Sequence, residues 1–189
     1  MGELYLMRHA RSESNEFHVF GENRHLSEEG RLQAAGVRQE LLQKGLIPKV
    51  TFVSNKLRSA ETAAIALTES IMKVNPLFNE IYFGDLEGKD IEEDIEKEIS
   101  NDWSILKVKY GGDDIVKRAK QAINALNEIE LEYDGIVFVV LHGTLLEAIQ
   151  ILYKYGREEK NKLWTGEYYI KNCNYLKWSE FKKLRQTGK

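Results

Sequence analysis

The chain has 189 residues, 42% of them hydrophobic and 30% charged, with a formal net charge of -3, which suits one globular domain with a core of its own. The mixed signs exclude a nucleic-acid binder that relies on a whole-surface basic field, and a single cysteine, Cys173, excludes an internal disulfide or a zinc cluster. No apolar run reaches membrane-spanning length and residues 1–7 carry no basic leader, so the expectation is a cytoplasmic protein in a reducing compartment with no membrane partner.

Residues 1–189 contain no repeat, no low-complexity tract and no linker, and they read as one domain. Leu4-Tyr5-Leu6-Met7 is a continuous apolar run, the mark of a strand buried on both faces. A polar stretch follows to about Arg24. Ser27 is placed to cap a helix, with Glu28 and Glu29 in its first turn, where negative charge meets the positive end of the helix dipole. Ala34, Val37 and Leu41 mark its buried face and Gly45 its end. Thr51-Phe52-Val53 predicts a second strand, Ser54 and Asn55 a turn, and Ala60, Ala63, Ala64 and Leu67 a helix. Leu77-Phe78 reads as a short strand after Pro76.

Ile91, Ile95, Ile99 and Trp103 recur every four residues among acidic ones, which predicts one amphipathic helix over residues 90–106. Gly111-Gly112-Asp113-Asp114 ends it and caps the next helix, whose buried face carries Ile115, Ala119, Ala122, Leu126 and Ile129. Residues 136–141 are apolar and β-branched enough for a central strand. His142-Gly143-Thr144 turns into a helix with Leu145, Ile149 and Leu152. Tyr168-Tyr169-Ile170 and Tyr175-Leu176-Lys177-Trp178 read as strands around Asn172-Cys173-Asn174, with Cys173 a small buried hydrophobe and residues 186–189 frayed. Alternating strands and helices point to α/β architecture with a largely parallel sheet.

Arg8-His9, the segment from Ser54 to Arg58, and His142 each directly follow a predicted strand. In an open parallel sheet the carboxyl ends of strands share one edge, where ligands bind. Two arginines, two histidines and nearby helix starts therefore converge. Guanidinium forks and backbone N–H groups suit phosphate oxygens, and the histidines suit nucleophilic and proton-transfer work. His18 and His25 have no metal-ligand spacing and read as loop residues.

At these residues the chain resembles the histidine phosphatase superfamily, which includes the cofactor-dependent phosphoglycerate mutases. The run Leu6-Met7-Arg8-His9-Ala10-Arg11-Ser12-Glu13-Ser14-Asn15 is similar to its opening motif, with Ala10 in place of a glycine and Arg11 where glutamate or glutamine is common. Similarity continues through residues 26–34, the Arg58 segment at 54–63, an acid-bearing loop at 79–88, the His142 motif at 139–143 and the turn at 172–174. These six segments, in family order and covering most of the chain, carry the resemblance.

The resemblance implies a phosphoglycerate mutase-like, three-layer α/β/α sandwich with a mostly parallel central sheet and a helical cap insertion around residues 89–112. It implies a phosphomonoester hydrolase that needs no metal or other cofactor. His9 would become phosphorylated; Arg8, Asn15, Arg58 and His142 would hold the phosphoryl group; Glu80 would be the acid, with Asp85 and Glu87 as its competitors. Arg11 either reaches a second anionic group of the substrate or pairs with Glu13 or Glu16. Trp103, Lys107, Lys109 and Tyr110 are candidate substrate contacts in the cap. The expected partner is a small phosphorylated metabolite, or else a phosphoprotein. Two alternatives stand beside the hydrolase: a phosphoglycerate-type mutase and a non-catalytic phospho-ligand binder.

Overall fold

The computed structural model describes residues 2–184. Its elements in order are β1 (Glu3–Arg8), α1 (Glu13–Glu16), α2 (Glu28–Gln43), β2 (Val50–Val53), α3 (Leu57–Ala66), β3 (Ile71–Val74), α4 (Glu93–Asn101), α5 (Ser104–Tyr110), α6 (Ile115–Glu132), β4 (Ile136–Leu141), α7 (Gly143–Tyr155), β5 (Tyr175–Lys177) and α8 (Trp178–Leu184). Single 3₁₀ turns lie at Pro76–Phe78 and Gly84–Leu86. The five strands form one sheet in the order β3-β2-β4-β1-β5, parallel except for the β1–β5 pair.

Strand alternation builds the three layers. Leu4, Leu6, Val137, Val139 and Leu141 face the larger core, shared with α6, α7 and α8. Tyr5, Met7, Phe138 and Val140 face the smaller core, under α2 and α3. Residues 136–141 form the central strand, as their continuous apolar run predicts. The expected caps at Ser27 and Asp114 are present, accepting from Gly30 N and Lys117 N. Gly30 answers a different need, since a Cβ there would lie 1.9 Å from the Arg11 carbonyl oxygen. Only glycine lets the loop after β1 rest on the start of α2.

Four sequence expectations are corrected. Leu77-Phe78 is not a strand: Pro76 starts a 3₁₀ turn, and Asn75 Oδ1 accepts from Leu77 N. The strand of that region is β3, an exposed edge strand whose Ile-Met-Lys-Val run carries no alternation. The helix expected over residues 90–106 is two helices, because Asp102 adopts an extended backbone and its carboxylate takes the Ser104 N–H at 2.9 Å. Tyr168-Tyr169-Ile170 is irregular, since its carbonyls serve side chains: Gln150 Nε2 donates to Tyr168 O at 2.7 Å and Arg8 Nη1 to Ile170 O at 2.8 Å. Trp178 opens α8 and does not extend β5. The fraying expected of residues 186–189 lies outside the described residues. No helix among the described residues is long and apolar enough to cross a membrane.

Candidate active site

Parallel register sets the site. Arg8 lies opposite Leu141, and Val53 opposite Val140, so β1, β4 and β2 end together. The next residues, His9, Ser54 and His142, therefore meet at one edge of the sheet. A cavity of about 450 Å³ opens there, and Arg8, His9, Arg11, Asn15, Arg58 and Glu80 are among the residues that line it. His142 stands behind His9, with ring centroids 5.0 Å apart.

His9 is almost wholly buried. Its Nδ1 lies 2.7 Å from the Ala10 carbonyl oxygen, which can only accept, so Nδ1 carries the ring proton. Nε2 is left with its lone pair and receives Arg58 Nε at 3.1 Å. Burial, then the positive charges of Arg58 and Arg8, push the His9 pKa well below the usual histidine range. The arrangement is a neutral imidazole beside two cations, with its Nε2 lone pair engaged by Arg58 Nε.

His142 is held from the other side. Its Nε2 lies 2.8 Å from Ser54 Oγ, and that oxygen already accepts from Lys56 N at 3.1 Å. The Ser54 hydroxyl proton can go to Nε2, and in that tautomer the His142 proton is on Nδ1. Nδ1 is buried and has no partner among the described residues. Burial, with Arg58 and His9 after it, holds this ring neutral as well. The result is a dry N–H donor waiting for an acceptor beside His9.

Arg8 is anchored by Ile170 O and lies over the Tyr169 ring, with its Cζ 4.7 Å from the ring centroid. It also crosses the start of α7, where a Cβ on Gly143 would come within 3.1 Å of Arg8 Cζ. Arg58 follows the β2 turn, at the second position of α3, and also donates to Glu22 O. Asn15 Oδ1 accepts from Ser12 N and from Ser12 Oγ, each at 3.0 Å, which leaves its Nδ2 as a free donor at the cavity wall. Arg8, Asn15 and Arg58 thus line the cavity with His9, and His142 stands behind it.

Glu80 is the only one of the three competing carboxylates that lines the cavity; Asp85 is exposed, and Glu87 is taken up by Phe83 N and Glu22 N. Its Oε1 accepts from Ile81 N and Leu145 N at 3.0 Å, while Oε2 has only a 3.3 Å contact from Thr144 N. Burial raises its pKa, against the lowering pull of Arg58 and those N–H groups. Oε2 is therefore the oxygen on which a proton can sit.

The substrate contacts expected in the cap are corrected. Trp103 is buried in the larger core, and Tyr110 packs against it with its hydroxyl on Glu98 Oε2 at 2.9 Å. Lys107 and Lys109 pair with Asp114 and Glu98. None of the four lines the cavity; Ile91 and Glu96 of that region do. Arg11 lines it but spends its charge on Glu29 at 3.1 Å, with Glu16 at 4.0 Å, and not on Glu13. Burial lifts the Cys173 thiol to about 12, in keeping with a packing role.

Several residues of the site were not among the candidates read from the sequence. Asn172 Nδ2 ties the turn before β5 to His9 O at 2.9 Å. Thr62 Oγ1 receives Ala10 N at 2.9 Å and fixes the backbone after His9. His18, expected to be a plain loop residue, lines the cavity with a left-handed φ of 50°. Glu147 is buried on α7 and also faces the cavity. A lone acid amid Leu145, Leu146, Ala148 and Ile149 is the pattern by which it stands out. Among the described residues, no group of three or more His, Cys, Asp or Glu is placed to hold a metal ion.

The sequence profile of the histidine phosphatase superfamily (branch 1) matches residues 4–178. Phosphoglycerate mutase 1 of Saccharomyces cerevisiae is 36% identical over 104 residues, which span 51% of this chain and 42% of that protein. Bacillus stearothermophilus YhfR superposes with a TM-score of 0.75 at 22% identity, covering 94% of this chain and 90% of that one. A mycobacterial glucosyl-3-phosphoglycerate phosphatase superposes at 0.70 and 19%, covering 94% and 92%. The two structural likenesses speak for the fold.

Proposed function

The chain belongs to the histidine phosphatase superfamily (branch 1), whose members are phosphatases and mutases, and from that premise we propose that it hydrolyses phosphomonoesters through a phosphohistidine on His9. The observation that carries this reading is the proton on His9 Nδ1, fixed by the Ala10 carbonyl, which leaves the lone pair on Nε2, where Arg58 Nε now donates to it at the cavity.

In the first step Nε2 attacks phosphorus in line, the N–P bond forms, and the ester P–O bond breaks. Arg8, Arg58, Asn15 Nδ2 and His142 Nδ1–H take the phosphoryl oxygens, where negative charge gathers, and Arg58 Nε leaves His9 Nε2 to do so. Glu80 gives its proton to the departing alkoxide. In the second step a water attacks phosphorus, Glu80 takes the proton of that water, and the N–P bond breaks to release inorganic phosphate and restore neutral His9. Two moderate steps replace one difficult step. The guanidinium groups supply the positive charge that the transferring group needs, so the reaction runs without a metal.

The resemblance to a phosphoglycerate mutase favours a second reading, in which the phosphohistidine passes its group to another hydroxyl. Glu80, Glu96 and Glu147 all line the cavity. A sugar-acid acceptor would bring a further carboxylate among them, which favours hydrolysis. Purified protein given a panel of phosphomonoesters in the presence of chelator should release inorganic phosphate. Transfer of phosphate between the hydroxyls of a phosphoglycerate, at a rate above hydrolysis, would instead establish the mutase. No turnover of any ester would leave a binding protein.

A further inference from the structure

Beside the donors around His9, the cavity carries residues of a different character. Phe20, Phe83 and Trp164 line it as one aromatic cluster, with ring centroids 5.0 Å apart for Phe20–Phe83 and 6.3 Å for each ring against Trp164. The Trp164 indole is held in place by Nε1 donating to Thr144 Oγ1 at 3.2 Å. Glu147 and Glu96 line the same wall.

Glu147 is buried and Glu96 half-buried, and among the described residues both lack a cationic partner. Glu147 is 3% exposed, and its Oε2 accepts from Trp164 N at 2.7 Å, while Oε1 takes no hydrogen bond from the described residues. Neither Glu147 nor Glu96 forms an ion pair with a lysine or arginine among the described residues. Arg8 is felt by Glu147 only at a distance, being turned to Ile170 O and to the phosphate end. A buried acid without a cation is costly to keep unless something else brings the charge. A second unmet need lies on the same cavity: Ser14 Oγ is buried, lines it, and has no partner.

We propose that the leaving group of the substrate carries a cationic nitrogen, which sits against the Phe20–Phe83–Trp164 rings and pairs with Glu147 and Glu96. The proposal rests on the phosphomonoesterase reading and names the class of ester: a zwitterionic phosphomonoester of an amino alcohol. Three lines of chemistry agree. Aromatic faces attract cations and do little for a neutral polar group. Arg8 and Arg58 meet the charge of the phosphate, but neither pairs with Glu147 or Glu96, so a positive charge on the leaving group would meet theirs. The spacing also fits, because Glu147 lies one helical turn beyond Gly143, against which Arg8 packs. One turn rises roughly 5 Å, so a chain of two or three carbons between the phosphate oxygen and the nitrogen spans the gap.

Burial and the neighbouring Glu80 and Glu96 lift the Glu147 pKa to about 7, with Trp164 N and Arg8 pulling the other way, and burial and Glu93 raise that of Glu96. Acids in that condition gain most from an incoming cation.

The test uses two phosphonates that cannot be hydrolysed and differ only at the far end: 3-aminopropylphosphonate and n-butylphosphonate, an ammonium against a methyl. Affinities for the whole protein are measured by phosphorus NMR titration at about pH 8, above the Glu147 value. The aminopropyl compound should bind about tenfold more tightly. That preference should fall to within about threefold in Glu147→Gln and be reduced in Glu96→Gln. Equal affinities in the wild type, or a preference that survives in Glu147→Gln, would overturn the cationic subsite while leaving the phosphate site standing. Failure of both compounds to bind would overturn the phosphate site and the subsite together.

Discussion

Glu147→Gln should make the protein more stable, and only above mildly acidic pH. Burial raises the pKa of this carboxyl from the ordinary 4.5 to about 7. A group whose pKa is higher folded than unfolded binds its proton more tightly in the folded state. Its contribution is whole below about 4.5 and is lost as pH rises through about 7. At roughly 1.36 kcal/mol per pH unit, the ionised acid costs the fold about 3 kcal/mol by pH 8. Glutamine can still accept the Trp164 N–H through its amide oxygen and never ionises, so it removes the cost and keeps the contact. Urea unfolding of both proteins at about pH 5, 6, 7 and 8 reads the difference, with unchanged m-values as the control for two-state behaviour. The variant should gain on the wild type mostly between about pH 5 and 7 and level off above that, by about 2.5 kcal/mol in all. Two parallel stability curves would refute the reasoning, because they would show that Glu147 does not change its protonation in this window.

Three further outcomes are expected. Glu80→Gln should lower kcat for alkyl phosphates by roughly 10²–10⁴-fold and far less for p-nitrophenyl phosphate, whose leaving group needs no proton; equal losses on both would remove Glu80 from the acid role. Ser54→Ala frees the His142 tautomer, and kcat should fall about tenfold with KM little changed; a change confined to KM would mean that the Ser54–His142 contact does not act on the transferring group. Because the His9 pKa lies well below 6.5, protonation of His9 should cause no loss of kcat/KM as pH falls to 6.5, once ionisation of the substrate is allowed for; a wild-type acid limb near 6.5 that substrate ionisation does not account for would contradict it.

The layered fold was legible because its signals are local and redundant. The run at residues 136–141 admits no amphipathic reading, and Ser27 and Asp114 mark their helix starts by side-chain chemistry. What sequence periodicity missed was decided by single contacts. The stripe from Ile91 to Trp103 is continuous in sequence, yet the Asp102 carboxylate breaks the helix by capturing Ser104 N. That break carries Trp103 into the core, away from the cavity where it was expected. The convergence of Arg8, His9, Arg58 and Glu80 was readable because each follows a strand end or lies in a recognisable motif. The roles of Ser54 and Asn172 were hidden, since a polar turn residue looks the same whether it faces water or orients a histidine. Arg11 could not be assigned from the sequence because its partner, Glu29, lies on α2, brought near only by the close approach at Gly30.

The central claim is the covalent step on His9. Wild-type protein mixed with a radiolabelled phosphomonoester and quenched within one turnover should carry label that is released by acid, survives base, and maps to His9. His9→Ala, folded by circular dichroism, should carry none and should not turn over. Steady hydrolysis with no protein-bound label, or label that persists in His9→Ala, would contradict the account.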